Sequence, residues 1–408
     1  MAQATDSVRM RWRLVVFFGL LAVLFAPALA WLTRLPDAAG VPEMRALAAW
    51  PEWRAKSWDS WMAGYESWLD DHFPLRKYLI RWHSTVWHLW LGAPGSNVVV
   101  GRDNWLFYTG DSTIEDWQGR DLMSGAELDN WRRAAEGRQA WLRQRGIKYL
   151  LVFVPNKSTV YPEKLPLLLR TQRRPGKFEQ ILDYLRSKNS TVHVLDLRPA
   201  LISDKAREID YWPTDSHWNA HGLVTGSDAI MARLRGMDLG LPMGAGLGPM
   251  KIESVTRDGD CVGLLAMSGH WPRFAMPQLS PDPGVGLHAV QTPLSDLPIW
   301  KRGGTTPPVA FECASGVGRA VMLCDSFFRV GGLAADAQAQ SPLAWQFHRF
   351  VSLWDWVGGD NLSSYDMILA IAEKEHPDVV IEEWTERYLR SPMPDSPEFA
   401  RAREAAAP

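Results

Sequence analysis

Apolar runs alternate with helix-spaced apolar positions along most of the chain. Residues 147–156 (IKYLLVFVPN) form a nearly continuous apolar run, which is typical of a strand buried on both faces. Three later runs have the same character: VHVLDL at 192–197, AVMLCDSFF at 320–328 and DVVIEEW at 378–384. Residues 178–187 and 365–376 have the pattern of helices. Strands separated by helices predict an α/β domain with a parallel sheet covered on both faces.

Two further elements are indicated by short local signals. Residues 97–110 (NVVVGRDNWLFYTG) predict a hairpin of two short strands around a polar turn. Ser124 and Glu127 have the spacing of a capping box, and apolar residues then recur at near-helical intervals up to Gly146. The sequence therefore predicts a helix that begins after Ser124 and ends by Gly146.

The N-terminus has the pattern of an export signal. Residues 8–13 (VRMRWR) supply three arginines just before the apolar run LVVFFGLLAVLFAPALAWL at 14–32, which predicts the positive end inside. The run is long enough to span a membrane, but residues 28–30 (ALA) also match a signal-peptidase site. A retained anchor is favoured because the apolar run continues through Trp31 and Leu32. In both cases the remaining chain is expected outside the cytoplasm.

These patterns divide the chain into a series of expected segments. They are a cytoplasmic tail at 1–13, the signal anchor or signal peptide at 14–32, a Trp-rich helical connecting region at 33–94, the α/β domain at 95–390 and a tail at 391–408. Within the domain, residues 236–306 are rich in glycine and proline and have no strong period. Loops of this length are usually functional, so we expect a long insertion or a lid.

The amino-acid composition excludes few classes of function. The 44 Lys and Arg residues against 46 Asp and Glu give a net charge of −2, so there is no basic excess to indicate nucleic-acid binding. The 22 tryptophans exceed ordinary usage and suit either a carbohydrate-binding surface or core packing. Cys261, Cys313 and Cys324 are an odd number for an oxidising compartment. If one pair forms a bridge, Cys261 with Cys313 is the expected pair.

Polar residues interrupt the pattern where catalytic groups are commonly found. Ligands of parallel sheets bind beyond the carboxyl ends of the strands, and Asp325 and Ser326 follow one such strand. Elsewhere, Asp215 lies two residues before His217, so both side chains project to one side of an extended or turn segment. Together they predict a triad in which Ser326 attacks, His217 takes its proton and Asp215 orients the imidazole. Backbone N–H groups at the turn after the strand would stabilise the oxyanion.

Structural interpretations compete with this prediction. A serine or aspartate at a strand-to-helix turn is commonly a helix cap, which explains Asp325 and Ser326 about as well as catalysis does. A lone Asp-x-His pair is more often structural than catalytic. Their joint occurrence in one exported α/β domain makes the two interpretations about equally strong.

Other polar and aromatic residues are weaker candidates. Asn156 and Lys157 close a predicted strand and either bind an oxyanion or an anionic sugar or form a solvated loop. Trp105 and Trp218 either line a glycan groove or pack in the core.

Metal and cofactor binding have little support in the sequence. His217 and His221 have the spacing of one helix face, with Asp215 nearby, but no third clear ligand is present and we expect no metal. No coenzyme motif is present, so we expect no cofactor. Glu386 and Arg387 are expected to form surface or structural ion pairs.

Four ordered motifs also carry a family resemblance. GRDNWLFY, FVPNKSTVYPEKLP, TDSHWNAHG and CDSF resemble, over roughly residues 95–390, the SGNH-hydrolase-like domain of the bacterial alginate O-acetyltransferase family. The resemblance implies a flavodoxin-like three-layer sandwich, with Asp215 and His217 as the base pair and Ser326 as the nucleophile. Cys324 stands where the family pattern has glycine.

The resemblance also implies a place of action and partners. Such enzymes acetylate exopolysaccharides in the periplasm or at the inner membrane, with a polytopic membrane acyltransferase supplying acetyl groups inside a secretion complex. The expected function is therefore O-acetyl transfer to a polysaccharide through a serine acyl-enzyme. Two alternatives stay open: a carbohydrate esterase or deacetylase with the same triad, and a non-catalytic glycan-binding scaffold.

Overall fold

The structure is a computed structural model that describes residues 2–36, 46–52, 57–91, 95, 97–237, 251–280, 286–301, 307–329, 342–354, 356–357, 360–361 and 363–406. Internal contacts group the chain into two units. The first comprises Met1–Gly95 and Val262–Trp271, and the second comprises Ser96–Cys261 and Pro272–Pro408. The predicted triad residues all lie in the second unit.

Helices form the N-terminal part of the first unit. They are α1 (Ala2–Leu32), α2 (Trp58–His72) and α3 (Arg76–Ser84), followed by a π-helical turn at Thr85–Trp90. Within α1, Trp12–Leu32 is 21 residues long and apolar enough to cross a membrane, and no second helix among the described residues meets that test. The predicted apolar N-terminal helix is therefore confirmed.

The remaining helices and strands have the following bounds. The helices are α4 (Thr113–Trp117), α5 (Gly125–Arg143), α6 (Lys157–Val160), α7 (Leu167–Thr171), α8 (Lys177–Ser187), α9 (Arg198–Asp204), α10 (Ala220–Arg235), α11 (Asp260–Leu264), α12 (Ser326–Arg329), α13 (Tyr365–Glu375) and α14 (Pro397–Ala406). The strands are β1 (Val98–Val100), β2 (Leu106–Tyr108), β3 (Lys148–Val154), β4 (Val194–Asp196), β5 (Lys251–Thr256), β6 (Ala275–Ser280), β7 (Leu287–Val290), β8 (Val309–Cys313), β9 (Arg319–Cys324), β10 (Arg349–Trp354), β11 (Trp356–Val357), β12 (Asp360–Asn361) and β13 (Val379–Thr385).

A seven-stranded sheet runs through the second unit in the order β4-β3-β13-β9-β10-β8-β7. Neighbouring strands from β4 to β10 pair in parallel, whereas β8 is antiparallel to both β10 and β7. The register aligns Thr385 with Val154 and Glu382 with Leu323. The carboxyl ends of β3, β13 and β9 therefore meet at one edge of the sheet, which is where the predicted nucleophile follows β9.

Two apolar cores cover the two faces of the sheet, because successive residues of a strand point to opposite sides. Tyr149, Leu151 and Phe153 of β3 belong to a core with side chains of α5, α8, α13 and α14. The intervening residues of β3 belong to a second core with side chains of α9 and α10. Helices on both faces of a mostly parallel sheet confirm the predicted three-layer α/β architecture.

The elements with clear local signals lie where the sequence predicts them. β1 and β2 pair as an antiparallel hairpin around residues 102–104. Helix α5 begins after Ser124, whose side chain accepts the N–H of Glu127 in a capping box. The predicted strands at 147–156, 192–197, 320–328 and 378–384 correspond to β3, β4, β9 and β13, and the predicted helices to α8 and α13.

The segment at 236–306 contains regular structure that the sequence does not predict. β5 and β6 form an antiparallel pair, and β7 is the edge strand of the main sheet. Residues 238–250, 281–285 and 302–306 of the segment lie outside the described residues. All three cysteines are buried and none is in a disulfide, so the possible Cys261–Cys313 bridge is not formed.

Candidate active site

Ser326 lies at the turn between β9 and α12. The strand ends at Cys324, Asp325 follows, and Ser326 is the first residue of the helix. Asp325 Oδ1 accepts the N–H of Phe327 at 2.8 Å, so Asp325 caps the helix as the competing structural interpretation expects. Because Asp325 supplies the cap, the hydroxyl of Ser326 is available to a second partner.

A second turn brings an imidazole to that hydroxyl. Tyr211 and Trp218 form an isolated antiparallel bridge, and Asp215 and His217 lie in the loop that it closes. His217 Nε2 lies 2.7 Å from Ser326 Oγ, and His217 Nδ1 lies 2.7 Å from Asp215 Oδ1. The same carboxylate oxygen accepts the N–H of His217 at 3.0 Å. The structure therefore brings the three predicted residues together with the spacing of a nucleophile, a base and an orienting carboxylate.

Asp215 is held as a carboxylate. Burial alone would raise its pKa, but hydrogen bonding to His217 and the charges of His217 and Arg257 hold the pKa of Asp215 below its usual range. Arg257 Nη2 lies 3.5 Å from Asp215 Oδ2, and the N–H of Asp260 donates to the same oxygen at 3.2 Å. An ionised Asp215 stabilises the imidazolium that forms when His217 accepts a proton.

Asp260 is a fourth polar group beside these three residues. Its Oδ1 accepts the N–H of Ser216 at 2.7 Å, its Oδ2 accepts the Ser216 hydroxyl, and Oδ2 lies 3.5 Å from His217 Nδ1. The preceding Gly259 allows this approach, because a Cβ there would collide with the backbone next to Asp215. Asp260 thus clamps the loop that carries Asp215 and His217.

Sequence reasoning did not identify Asp260 or Arg257 as site residues. Both lie in the 236–306 segment, whose sequence has no period from which its path could be predicted. A local signal was present in the charged turn RDGD at 257–260, within an otherwise Gly- and Pro-rich segment. Such a turn is equally common on a solvated loop, so the contact with Asp215 becomes visible only in the fold.

Lys157 lies under the same loop. Its side chain is buried, and Nζ donates to the carbonyl oxygens of Trp212 at 3.0 Å, Pro213 at 3.1 Å and Asp215 at 2.6 Å. Burial lowers the pKa of Lys157. An ammonium group has three donors, so none remains for a ligand. The prediction that Lys157 binds an oxyanion or an anionic sugar is therefore replaced by a positioning role.

The two predicted aromatic residues lie inside the core. Trp105 is 3% exposed and Trp218 is 0% exposed, so neither ring lines an open groove. Trp105 packs against Tyr161. Trp218 Nε1 donates to the carbonyl oxygen of Phe327 at 2.6 Å, which ties the His217 turn to α12. The predicted glycan-groove role of both tryptophans is replaced by packing and positioning.

A small recess adjoins the loop that carries His217. Its lining residues are Phe107, Tyr108, Asn156, Lys157, Ser158, Ser216 and Arg387. Asn156 is half-buried and faces this recess, so its role in binding a ligand stays a prediction. Ser216 connects the recess to the triad because it immediately precedes His217.

Glu386 and Arg387 follow β13 directly, in a 3-10 turn at Glu386–Tyr388, and both are buried. Glu386 accepts the N–H of Asn156 at 2.7 Å and the hydroxyl of Thr159 at 2.7 Å. Neither side chain has an ion-pair partner within the described ranges. The prediction that they form surface or structural ion pairs is therefore wrong for this part of the chain.

Stability is expected to fall as the pH rises through the titration of Glu386. Burial raises the pKa of Glu386 to about 7, although hydrogen bonds from Asn156 and Thr159 act to lower it. In the unfolded chain a glutamate titrates near about 4.3, so the folded state binds the proton more tightly. This contribution to stability is present below the unfolded pKa and is lost as the pH rises through the folded one.

Glu386→Gln removes that titration and keeps an acceptor for both donors. Between about pH 4.5 and 7.5 we expect wild type to lose roughly 3 kcal/mol of unfolding free energy relative to the variant, as measured by urea unfolding. Equal pH slopes for the two proteins would show that Glu386 titrates normally.

Among the described residues, Asp215, His217 and Asp260 form a group that could hold a metal ion. Their ligand atoms lie within 4.8 Å of one another. The hydrogen bonds among Asp215, His217 and Asp260 account for that closeness. His221, in α10, instead has Nε2 at 3.9 Å from Glu208 Oε2.

Part of this chain is similar to a known protein family. Residues 98–280 match the family model described as "SGNH hydrolase-like domain, acetyltransferase AlgX". Asp215 and His217 lie inside the matched residues, and Ser326 lies beyond them.

Curated relatives extend the match. A "Probable alginate O-acetylase AlgJ" of Pseudomonas aeruginosa is 30% identical over 179 residues, which are 42% of this chain and 41% of that protein. The protein of the same name from Pseudomonas syringae pv. tomato is 24% identical over 360 residues, covering 81% of this chain and 78% of the relative. The match at 30% identity thus spans about two fifths of the P. aeruginosa relative.

Some solved structures have a similar backbone. The O-acetyltransferase domain of Pseudomonas putida AlgJ has a TM-score of 0.46 and is 18% identical. The match covers 76% of this chain and 99% of that chain. Bacillus cereus PatB1 with a sulfonyl adduct has a TM-score of 0.49 and 15% identity, covering 74% of this chain and 97% of that chain.

Proposed function

We propose that this chain belongs to the AlgX/AlgJ alginate O-acetyltransferase family, whose model matches residues 98–280, and that it transfers acetyl groups to hydroxyls of an exported polysaccharide. The observation that supports this function is the connected chain of Ser326, His217 and Asp215, with 2.7 Å at both links. An alginate-like exopolysaccharide is the acceptor that the names of the curated relatives favour.

Ser326 acts as the nucleophile in this proposal. Ser326 Oγ bonds to the acetyl carbonyl carbon while His217 Nε2 accepts the hydroxyl proton, and the carbonyl electron pair moves to oxygen to form an oxyanion. When the oxyanion collapses, the bond to the leaving oxygen breaks and His217 returns the proton to that oxygen. An acetyl-serine remains on the protein.

The second half of the reaction repeats these steps in reverse. A sugar hydroxyl donates its proton to His217 Nε2 and attacks the acetyl-serine. Collapse of the new oxyanion breaks the bond to Ser326 Oγ, which regains the proton, and the acetyl group stays on the sugar oxygen. Hydrolysis differs only in that water replaces the sugar hydroxyl, so transfer requires that an acceptor reaches the acyl-enzyme before water does.

We place this reaction in the periplasm, at the inner membrane. Arg9, Arg11 and Arg13 precede the apolar part of α1, and this charge asymmetry favours a cytoplasmic N-terminus. Since no coenzyme motif is present, the acetyl group would arrive from a protein partner. A polytopic membrane acyltransferase within an exopolysaccharide secretion complex is the partner that we propose.

The full-length protein in detergent, incubated with a neutral activated acetyl ester, tests this function. We expect intact mass to show one acetyl adduct on wild type and none on Ser326→Ala. We also expect an oligosaccharide acceptor to remove the adduct faster than water does. Release of free acetate at one rate with and without acceptor would make the protein an esterase. Identical behaviour of wild type and Ser326→Ala would reject the triad and leave the glycan-binding scaffold.

A further inference from the structure

Arg387 is a buried cation without an ion-pair partner in the described part of the chain. It is 8% exposed, its Nε and Nη2 have no hydrogen-bond partner, and no described carboxylate lies within ion-pair distance. Burial acts to lower the pKa of Arg387, yet nearby acidic groups raise it, so the guanidinium stays charged. A buried cation whose N–H groups lack hydrogen-bond partners is uncommon, and perturbed charged groups of this kind cluster at functional sites.

The guanidinium lies next to the residue that follows the nucleophile. Arg387 Cζ is 5.0 Å from the ring centroid of Phe327 and 5.3 Å from that of Tyr108. The imidazole of His217 is also 5.0 Å from the Phe327 ring, so His217 and Arg387 contact the same side chain. Arg387 further lines the recess that contains Ser216, the neighbour of His217. The cation is therefore part of the surroundings of Ser326.

The backbone donors expected to stabilise an oxyanion are already in use on both sides of Ser326. The N–H of Asp325 donates to Glu383 Oε2 at 2.9 Å. The N–H of Phe327 donates to Asp325 Oδ1 at 2.8 Å. These two N–H groups are therefore engaged within the turn, and a nearby cation is a further source of the positive charge that stabilises an oxyanion.

We propose that Arg387 is a further catalytic residue, whose guanidinium binds the acetyl carbonyl oxygen and stabilises the oxyanion that forms when Ser326 attacks. This inference rests on the proposed function of the triad. A fixed cation in a site with little water stabilises charge that develops in the transition state more than the neutral ground state. The rings of Phe327 and Tyr108 hold the guanidinium in place by cation–π contact.

Two substitutions separate this role from a structural one. Arg387→Met keeps an unbranched apolar stem against the rings and removes the charge, and Arg387→Lys keeps a charge with different geometry. With the full-length protein and a neutral activated acetyl ester, we expect the maximal rate of Ser326 acetylation to fall about 10²-fold in Arg387→Met. Arg387→Lys should retain part of the rate. The melting temperature of Arg387→Met should stay close to that of wild type, because Arg387 has no ion pair to lose and its Nε and Nη2 have no hydrogen bonds to lose.

Arg390→Met is the matched control, since Arg390 is exposed and its Nη1 donates only to Ser112 Oγ, at 3.1 Å. It should acetylate as wild type does. An Arg387→Met rate equal to wild type would overturn the inference, even if the KM for an acidic oligosaccharide acceptor rose. A loss of rate that follows a lowered melting temperature in both Arg387 variants would make the residue structural. Absence of a Ser326-dependent adduct on wild type would instead reject the proposed function, before any Arg387 variant is compared.

Discussion

Acetylation of Ser326 is expected to fall about 10⁴-fold when Asp215 is replaced by asparagine, the loss that an amide produces at this position of a Ser-His-Asp triad. His217 Nδ1 lies 2.7 Å from Asp215 Oδ1, so the ring donates to the carboxylate and leaves Nε2 unprotonated towards Ser326. An asparagine amide can direct its NH₂ group at Nδ1, which selects the tautomer with the proton on Nε2. That tautomer cannot accept the hydroxyl proton.

The measurement is the rate of adduct formation from the activated acetyl ester, followed by intact mass. Asp260→Asn is the matched control, because Asp260 Oδ2 lies 3.5 Å from the same Nδ1. We expect its rate to fall no more than about tenfold, since a partly solvated charge at that distance contributes on the order of 1 kcal/mol. Equal losses in Asp215→Asn and Asp260→Asn would mean that the two carboxylates share the orienting role.

The triad residues could be predicted because their signals are local. Asp215 and His217 are two residues apart, and Ser326 follows an apolar run that can only be a buried strand or a buried helix segment. The parallel sheet then requires that strand ends meet at one edge, which the register of β3, β13 and β9 shows. A cluster of side chains that depends on short spacing and on sheet topology is thus accessible from the sequence, whereas its chemistry stays a prediction.

Helix α10 shows why other elements were not predicted. It contains Gly222 and Gly226, which lower its helix propensity. A Cβ at Gly222 would collide with the backbone of Asp210, and one at Gly226 would press on the ring of Trp218. Gly222 and Gly226 weaken the helical signal in the sequence. They are required because α10 packs against the turn that positions His217. Tertiary contact, not local propensity, decides the structure here.

The roles of Lys157, Trp105, Trp218 and Arg387 could not be assigned for a related reason. Each residue type suits both a binding surface and a buried contact, and the choice depends on partners that are distant in the sequence. Lys157, for example, donates to the carbonyl oxygen of Asp215, which is 58 residues later in the sequence. The sequence alone predicts an ordinary ion pair for Arg387. Only the folded chain shows that its Nε and Nη2 have no hydrogen-bond partner.

Lys157→Met is expected to cost roughly 4 kcal/mol of unfolding free energy, because buried carbonyl groups that lose their donor cost about 1–3 kcal/mol each, and removal of the buried charge offsets part of the sum. Nζ of Lys157 donates to the carbonyls of Trp212, Pro213 and Asp215, so all three would lose that donor together. Urea unfolding of the full-length protein in detergent, followed by tryptophan fluorescence, measures the difference.

Lys164→Met is the control for this prediction, because Lys164 forms a surface ion pair with Asp103 at 2.6 Å and such pairs contribute at most about 1 kcal/mol. Lys157→Met should also slow acetylation in the fraction that remains folded, since a shift of about 1 Å in a catalytic group lowers the rate about 10²-fold. A variant as stable as Lys164→Met would show that Lys157 does not hold the loop. Loss of stability with an unchanged rate would show that the loop keeps Asp215 in place without it.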